Sequence, residues 1–113
     1  MPSLLDELTA KFDRRPWGYM RILDAPENNV TIKYLVVQAA HRTSLQKHEH
    51  KDELLFVLAG GGWVELNGVV HSGGVVRIYP GDEHRVTGPL VYLEVSSYDD
   101  GTDTIRLEDD YGR

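Results

Sequence analysis

The sequence predicts a small, closed, antiparallel β domain, and three observations lead to that prediction. Most of the chain divides into short segments in which apolar and polar residues alternate with the period of two that a half-buried strand requires. Glycine-rich and proline-containing turns separate these segments at close spacing, as in sandwiches, jelly rolls and barrels. A length of 113 residues, with 41% hydrophobic and 27% charged side chains, suits one all-β domain over residues 1–113.

The N-terminal segment is the exception to the strand pattern. A short helix is predicted over residues 3–12, because four apolar residues recur there at helical spacing. They are Leu4, Leu5, Leu8 and Phe12. Pro16 ends any helix that precedes it. The expected organisation is an N-terminal helix or arm (1–14), a β barrel (15–107) and a C-terminal tail (108–113).

Nine strands are predicted from the alternation, each bounded by turn residues. They are residues 30–36, 44–50, 53–58, 63–66, 69–71, 75–79, 84–87, 90–95 and 104–107. Between two of them, Asn67-Gly68 predicts a two-residue hairpin with a type I′ turn, which needs positive φ at both positions.

The strand over residues 53–58 carries apolar side chains on both of its faces. Leu55 and Val57 share one face, while Leu54, Phe56 and Leu58 share the other. Both faces are therefore expected to be covered. A second sheet covers one of them, and either the N-terminal helix or a partner subunit covers the other. We expect a homodimer.

Charge and composition exclude several classes of function. The chain has 12 Lys and Arg against 18 Asp and Glu, a net charge of −6, which argues against nucleic acid or an anionic membrane as a partner. It has no cysteine, so thiolate metal sites and cysteine nucleophiles are excluded. It has no apolar signal stretch or membrane-spanning segment, so the expected location is cytoplasmic. A small anionic substrate requires that the few cations be concentrated in one place.

The strongest chemical pattern surrounds a His-x-His pair. Residues two apart on a strand project to the same face, so Gln46, His48 and His50 are expected to line up. A turn at Lys51-Asp52 lets Glu53 open the next antiparallel strand and point back into the same interior. Two imidazoles and a carboxylate on one interior face can bind one divalent metal.

A second segment supplies a third imidazole. The tight turn Pro80-Gly81-Asp82 re-enters a strand whose first residue is His84. Histidine and carboxylate ligands suit Zn²⁺, Fe²⁺, Mn²⁺, Co²⁺ or Ni²⁺ better than Ca²⁺. We therefore expect one divalent transition metal, bound by His48, His50, Glu53 and His84. The alternative is that these are surface histidines in a polar loop.

These motifs resemble those of a known family. His48-x-His50-x-x-Glu53 followed by Gly60 is similar to the first cupin motif, and the segment from Gly74 to His84 is similar to the second. More narrowly, four stretches resemble the type II phosphomannose isomerase branch of the cupins, which also occurs as the C-terminal domain of bifunctional mannose-1-phosphate guanylyltransferases. They are Arg15-Pro16-Trp17-Gly18, Arg42-Thr43-Ser44-Leu45-Gln46-Lys47-His48, Gly81-x-x-His84-Arg85 and the tail over residues 106–113.

The resemblance implies a cupin double-stranded β-helix, that is, a jelly-roll barrel with one metal in its interior. It also implies interconversion of mannose 6-phosphate and fructose 6-phosphate through a metal-stabilised enediol. Such a sugar-phosphate substrate needs cations for its phosphate, ideally arginines. The candidate substrate-binding residues in the matched segments are Arg15, Arg42, Gln46 and Arg85. A tail that closes over the site makes Arg113 the candidate catalytic residue.

Other roles remain open for these residues. For Arg42 the alternative is a simple ion pair at the barrel rim. For Arg15 and Arg85 it is a structural or solvated position, and for Gln46 it is a hydrogen bond within the barrel. For proton transfer the candidates are Glu108, Asp109 or a metal-bound hydroxide.

The sequence departs from the family pattern beside the expected ligands. Glu49 stands where the family commonly has histidine, Lys51 where it has arginine, and Leu54-Leu55 where it has His-Trp. Three functions therefore remain: a sugar-phosphate isomerase, another metal-dependent cupin enzyme such as a dioxygenase, and a non-catalytic sugar-binding cupin. The arginines and the tail favour the first over the second, and nothing in the sequence separates the first from the third.

Overall fold

The structure, a computed structural model, describes residues 11–113, which form eleven strands and one turn of 3-10 helix (Pro26–Asn28). The strands are β1 (Lys11–Arg15), β2 (Gly18–Ala25), β3 (Val30–Val37), β4 (Leu45–His48), β5 (Glu53–Ala59), β6 (Trp63–Leu66), β7 (Val69–His71), β8 (Val75–Ile78), β9 (His84–Thr87), β10 (Leu90–Ser96) and β11 (Thr104–Glu108).

The strands pair antiparallel in two sheets that enclose one core. The first sheet has the order β1-β2-β3-β10-β5-β8 and the second the order β11-β4-β9-β6-β7. Neighbours in a sheet are mostly distant in sequence, as in a jelly roll. Both sheets contribute to the buried apolar core, which contains Trp17, Met20, Leu35, Val37, Leu55, Val64, Val76, Ile78, Val86, Leu90 and Tyr92.

Most of the predicted elements are present. All nine predicted strands occur, and their ends shift by at most two residues. Asn67 and Gly68 both have positive φ, 48° and 81°, as the predicted type I′ hairpin requires. The hairpin of β1 and β2 was not predicted, since its residues have no clear apolar alternation. Among residues 11–113, no helix is long and apolar enough to cross a bilayer.

The predicted N-terminal helix lies mostly outside the described residues. Of its span, 3–12, only Lys11 and Phe12 are described, and both belong to β1 rather than to a helix. The first sheet already begins at Lys11, within the span predicted as an N-terminal helix or arm (1–14). No α-helix occurs among residues 11–113.

Cross-strand register shows how the interior changes along the first sheet. At one end, Ser96 of β10 lies between Thr31 of β3 and Glu53 of β5, and the next row places Glu94 of β10 beside Lys33 of β3. All five side chains face inward because paired residues share a face. The following rows are apolar and belong to the core. The barrel is thus polar and charged at one end and apolar beyond it.

The outer face of the same sheet is apolar along its middle. Tyr34, Leu93, Phe56 and Val75 are paired in one row across β3, β10, β5 and β8. Val75 is 59% exposed, and the other three are half-buried. This row agrees with the expectation that both faces of β5 carry apolar side chains. The homodimer that would cover it stays a prediction.

Two adjacent valines of β8 test the assignment of inner and outer faces. Val76 is 3% exposed and Val75 is 59% exposed. Replacing Val76 by alanine removes buried methyl groups and leaves a cavity, so we expect a loss of about 2 kcal/mol in the free energy of unfolding. The matched change Val75→Ala is expected to cost less than about 0.5 kcal/mol. Urea unfolding followed by tryptophan fluorescence measures both, and equal losses would contradict the assignment.

Candidate metal centre

Three potential metal ligands meet inside the polar end of the barrel. His48 ends β4, Glu53 begins β5 and His84 begins β9, and all three are buried. Their ligand atoms lie within 4.8 Å of one another. Glu53 Oε1 is 2.7 Å from His48 Nε2 and 3.6 Å from His84 Nε2. The structure therefore brings together three of the four predicted ligands, from three strands.

The turn between β8 and β9 holds His84 against the end of β4. Gly81, at a φ of 88° that favours glycine, donates its N–H to the His48 carbonyl at 2.7 Å. The Asp82 carboxylate accepts hydrogen bonds from the Tyr79 amide and the Asn67 side chain, at 2.8 and 3.0 Å. The predicted Pro-Gly-Asp turn thus ties the second motif to the first.

The donor atoms fit a divalent transition metal. His84 Nδ1 lies 3.0 Å from the Asp82 carbonyl, and because a carbonyl only accepts, Nδ1 carries the proton and Nε2 keeps its lone pair. Burial lowers the pKa of His84, which favours the neutral ring that binds metals. Within residues 11–113, no hydrogen bond of suitable geometry reaches the buried His48 Nε2 or either buried oxygen of Glu53, although Nε2 and Oε1 lie 2.7 Å apart. Two imidazoles and one carboxylate leave further coordination positions open.

His50 does not join this site. Strand β4 ends at His48, and the next two residues form a bend in which the side chain of His50 is 87% exposed. The Asp103 carboxylate holds the bend by accepting the amide protons of Glu49, His50 and Lys51 at 3.1, 3.0 and 2.8 Å. The prediction that His48 and His50 share one face is wrong, because the alternation on which it depended stops with the strand.

Lys51 enters the interior instead. Its ammonium lies 3.5 Å from Glu53 Oε1, 3.6 Å from Glu94 and 3.0 Å from Asp99, and its side chain is 4% exposed. Lys33 of β3 reaches the same Asp99 at 2.6 Å and Glu94 at 3.7 Å. The sequence pattern indicates Lys51 only as a turn residue, where the family commonly has arginine, and it gives no sign that Lys33, Glu94 and Asp99 belong to this site.

These five charged groups do not balance. Three carboxylates against two ammoniums leave one negative charge among them. Burial and the charge of Glu53 together raise the pKa of Glu94 to about 7. Burial also raises the pKa of Glu53, but contact with His48 and Lys51 outweighs it and holds that pKa below its ordinary range. A divalent cation at the three ligands would offset the remaining negative charge.

A cavity of about 210 Å³ opens beside this centre, and His48 lies in its wall. Five of the 12 Lys and Arg residues of the chain line it, and among residues 11–113 the acidic lining residues are Glu94 and Asp99. The cations are Arg15, Lys33, Lys51, Arg106 and Arg113. An acidic chain has therefore concentrated positive charge at one interior surface, which is the arrangement that an anionic small molecule requires.

Three of the predicted substrate or catalytic residues line this cavity: Arg15, Gln46 and Arg113. Gln46 is paired with His84 across β4 and β9, and the Ser44 hydroxyl donates to its Oε1 at 3.3 Å. The guanidiniums of Arg15 and Arg113 are held by carboxylates of their own segments, which belong to Asp13 at 2.8 Å and Asp109 at 2.9 Å.

Arg42 and Arg85 lie away from the cavity. Arg42 forms a two-pronged ion pair with Asp110 at the barrel rim, at 2.6 and 2.8 Å. Arg85 follows the inward His84 and so lies on the opposite face of β9. There it donates to the Thr43 carbonyl and to Glu108, both at 3.3 Å. The structure thus supports the ion-pair alternative for Arg42 and a structural role for Arg85.

The candidates for proton transfer in the tail are also displaced from the cavity wall. Glu108 pairs with Arg85 on the outer side of the second sheet. Asp109 accepts hydrogen bonds from Arg113 and from the Tyr111 amide. The tail itself is anchored, since the Tyr111 hydroxyl lies 2.7 Å from His41 Nδ1. Neither carboxylate lines the cavity.

Comparison with known proteins adds a family and a fold. A family model described as mannose-6-phosphate isomerase C-terminal matches residues 7–109. The mannose-1-phosphate guanylyltransferase of Salmonella typhimurium is 33% identical over 108 residues, which cover 88% of this chain and 22% of that protein. The chain spans less than a quarter of the length of the curated relatives that it matches.

Solved structures agree on the architecture. A protein from Planctomyces limnophilus superposes with a TM-score of 0.72 at 24% identity, over 92% of this chain and 96% of that one. Oxalate decarboxylase from Bacillus subtilis superposes with a TM-score of 0.73 at 16% identity, over 87% of this chain and 30% of that one. At these identities the likeness shows the fold alone, a cupin-like double-stranded β-helix.

The three buried ligands predict how variants will change metal content. His48→Ala and Glu53→Gln each remove a buried donor, and we expect each to lower the bound metal from about one ion per chain to a small fraction of that. His50→Ala is the matched control and is expected to keep the metal, because its ring faces solvent. Elemental analysis of purified, folded proteins measures the content. Loss of metal in the His50 variant alone would contradict the three-ligand centre.

Asp99 makes stability depend on pH in a defined direction. Burial alone raises its pKa, but the two ammoniums of Lys51 and Lys33 outweigh burial and hold the pKa below the ordinary 3.8. Its contribution is therefore present above pH 3.8 and is lost as pH falls through the lowered value. We expect Asp99→Asn to cost about 3 kcal/mol at pH 7.

The same change should cost less at pH 3, because the Asp99 carboxyl of the unfolded chain takes up a proton below its ordinary pKa of 3.8 and thereby stabilises the unfolded state. Asp100, the next residue along the chain, is exposed and provides the control, since Asp100→Asn removes the same charge from a solvent-facing side chain. Urea unfolding at both pH values measures the difference. A cost for Asp99→Asn that does not fall with pH would contradict the assigned ion pairs.

Proposed function

The chain belongs to the mannose-6-phosphate isomerase C-terminal family, and from this premise we propose that it is a metal-dependent sugar-phosphate isomerase that interconverts mannose 6-phosphate and fructose 6-phosphate. One observation carries the proposal: a buried pair of imidazoles with a carboxylate adjoins a cavity whose wall holds five cationic side chains. The first group fits a metal and the second fits a phosphate.

The ligands in this proposal are His48, Glu53 and His84. A divalent metal bound there supplies a Lewis acid that polarises the sugar carbonyl and stabilises the developing oxyanion. The residues around it are held in place before substrate arrives: the Asp82 carbonyl orients the ring of His84, and Thr104 Oγ1 lies 3.4 Å from His48 Nδ1. Such fixed outer contacts orient metal ligands.

The cationic wall supports an anionic substrate. The chain as a whole carries a net charge of −6, which repels anions at long range. Among the described residues that line the cavity, however, cations outnumber acidic residues by five to two. Because a recessed, low-dielectric site strengthens local electrostatics, this surface can attract a phosphate against the overall charge. A dioxygenase acting on an uncharged substrate does not need these cations.

Glu94 is our candidate for proton transfer. The isomerisation moves a proton from C2 to C1 of the sugar, and a second proton from the C2 oxygen to the C1 oxygen, with no net gain or loss. Glu94 lines the cavity with His48, and its Oε2 has no hydrogen-bond partner among the described residues. The ammoniums of Lys33 and Lys51 lie closer to Asp99, another acidic lining residue, at 2.6 and 3.0 Å, than to Glu94, at 3.7 and 3.6 Å. Glu94 is therefore the better placed base.

A coupled assay of mannose 6-phosphate conversion tests the proposal. We expect turnover by wild-type protein that a chelator abolishes and an added divalent metal restores. Glu94→Gln keeps the shape of the side chain but cannot accept the proton, so kcat should fall by about 10²- to 10⁴-fold. Glu49→Gln, at a side chain that is 66% exposed, is the matched control and should leave kcat unchanged.

One result would contradict the isomerase itself, and another would contradict only the role of Glu94. Absence of turnover with Zn²⁺, Fe²⁺, Mn²⁺, Co²⁺ or Ni²⁺ in well-folded, metal-loaded protein would refute the isomerase. Full activity of Glu94→Gln in a working isomerase would instead leave the function standing and remove Glu94 from the proton transfer.

A further inference from the structure

Arg106 differs from every other cation of the cavity. It lies on β11, lines the cavity, and has no hydrogen-bond or ion-pair partner for its side chain in the described part of the chain. The other four cavity cations each contact a carboxylate. Those pairs are Arg15 with Asp13, Lys33 and Lys51 with Asp99, and Arg113 with Asp109.

An unpaired guanidinium is the group that can bind an anion at the lowest energetic cost. The guanidiniums of Arg15 and Arg113 already share part of their charge with a carboxylate, whereas that of Arg106 has no such pair among residues 11–113. The guanidinium also presents two parallel N–H donors that match two phosphate oxygens. We propose that Arg106 binds the phosphate of the substrate.

The register of β11 and β4 sets the position of this phosphate relative to the metal ligands. Arg106 is paired with Gln46, and Thr104 with His48. Paired residues share a face, so all four side chains face inward. The pair Arg106–Gln46 is therefore two residues along the two strands from the pair Thr104–His48. Two residues of a strand span about 7 Å between backbone positions.

This separation suits a substrate whose two functional ends are far apart. In a hexose 6-phosphate, the phosphate is attached at one end of the carbon chain and the reacting C1 and C2 lie at the other. A phosphate on Arg106 leaves the sugar chain to run past Gln46 toward His48. The inference rests on the proposed function in naming the sugar phosphate, while the phosphate contact itself is independent of turnover.

Binding measurements separate the two claims. Isothermal titration calorimetry of metal-loaded wild-type protein uses inorganic phosphate, mannose 6-phosphate and mannose as probes. We expect Arg106→Gln to weaken binding of both phosphates about 10- to 100-fold and to leave the binding of mannose unchanged. Arg106→Lys should recover part of the loss, because it restores the charge without the fork.

The matched control is Lys47→Gln. Lys47 precedes His48 on β4 and is paired with Ile105, so it lies on the outer face and its replacement changes the net charge equally. We expect wild-type affinity from this variant. Metal content and unfolding free energy, measured on every variant, exclude a merely structural effect.

Each outcome bears on the proposal. Phosphate binding that depends on Arg106, in a protein that does not isomerise mannose 6-phosphate, supports the anion site and refutes the proposed function alone. In an active isomerase, a rise in KM with little change in kcat for Arg106→Gln supports the site. Equal phosphate affinity of wild type and Arg106→Gln overturns it, and so does equal weakening by Lys47→Gln.

Discussion

Burial of the Glu53 carboxylate is the constraint on which the rest of the interior depends. A carboxylate taken out of water is stable only when other groups replace its hydration. Here the ammonium of Lys51 lies 3.5 Å from Oε1, and a divalent cation bound together with His48 and His84 would supply further positive charge. Lys51 in turn needs further acids, which Glu94 and the Asp99 loop supply. Burial of the Glu53 carboxylate thus requires Lys51 beside it, and burial of Lys51 requires Glu94 and Asp99.

The jelly roll makes this network possible by closing an apolar core beyond it. Inward rows of the first sheet change from Thr31, Ser96 and Glu53 to apolar side chains within a few residues. Apolar packing on both sheets therefore supplies the folding free energy. The buried charges at the other end of the barrel do not have to stabilise the fold themselves. The same end opens into a cationic cavity, so a metal centre and an anion surface adjoin within a single small barrel.

Much of the fold was predictable because strand alternation and turn residues act locally. Each of the nine predicted strands reflects the burial of alternate residues, and Asn67-Gly68 specifies its hairpin through positive φ. The metal ligands His48, Glu53 and His84 were identified for a similar reason, since each lies at a strand end beside a turn. The hairpin of β1 and β2 escaped prediction because it lies at a sheet edge, where alternation is weak.

The sequence by itself determined the all-β class, the strand positions and three residues of the candidate metal centre. The tertiary structure decided which neighbouring side chains accompany them. His50 lies outside the site and Lys51 lies within it, because Asp103 holds a bend in the chain directly after His48. Asp103 is more than fifty residues further along the sequence. Likewise, Arg106 reached the cavity through its pairing with Gln46. Register between distant strands and long-range charge pairing have no local signature, so only the folded chain reveals them.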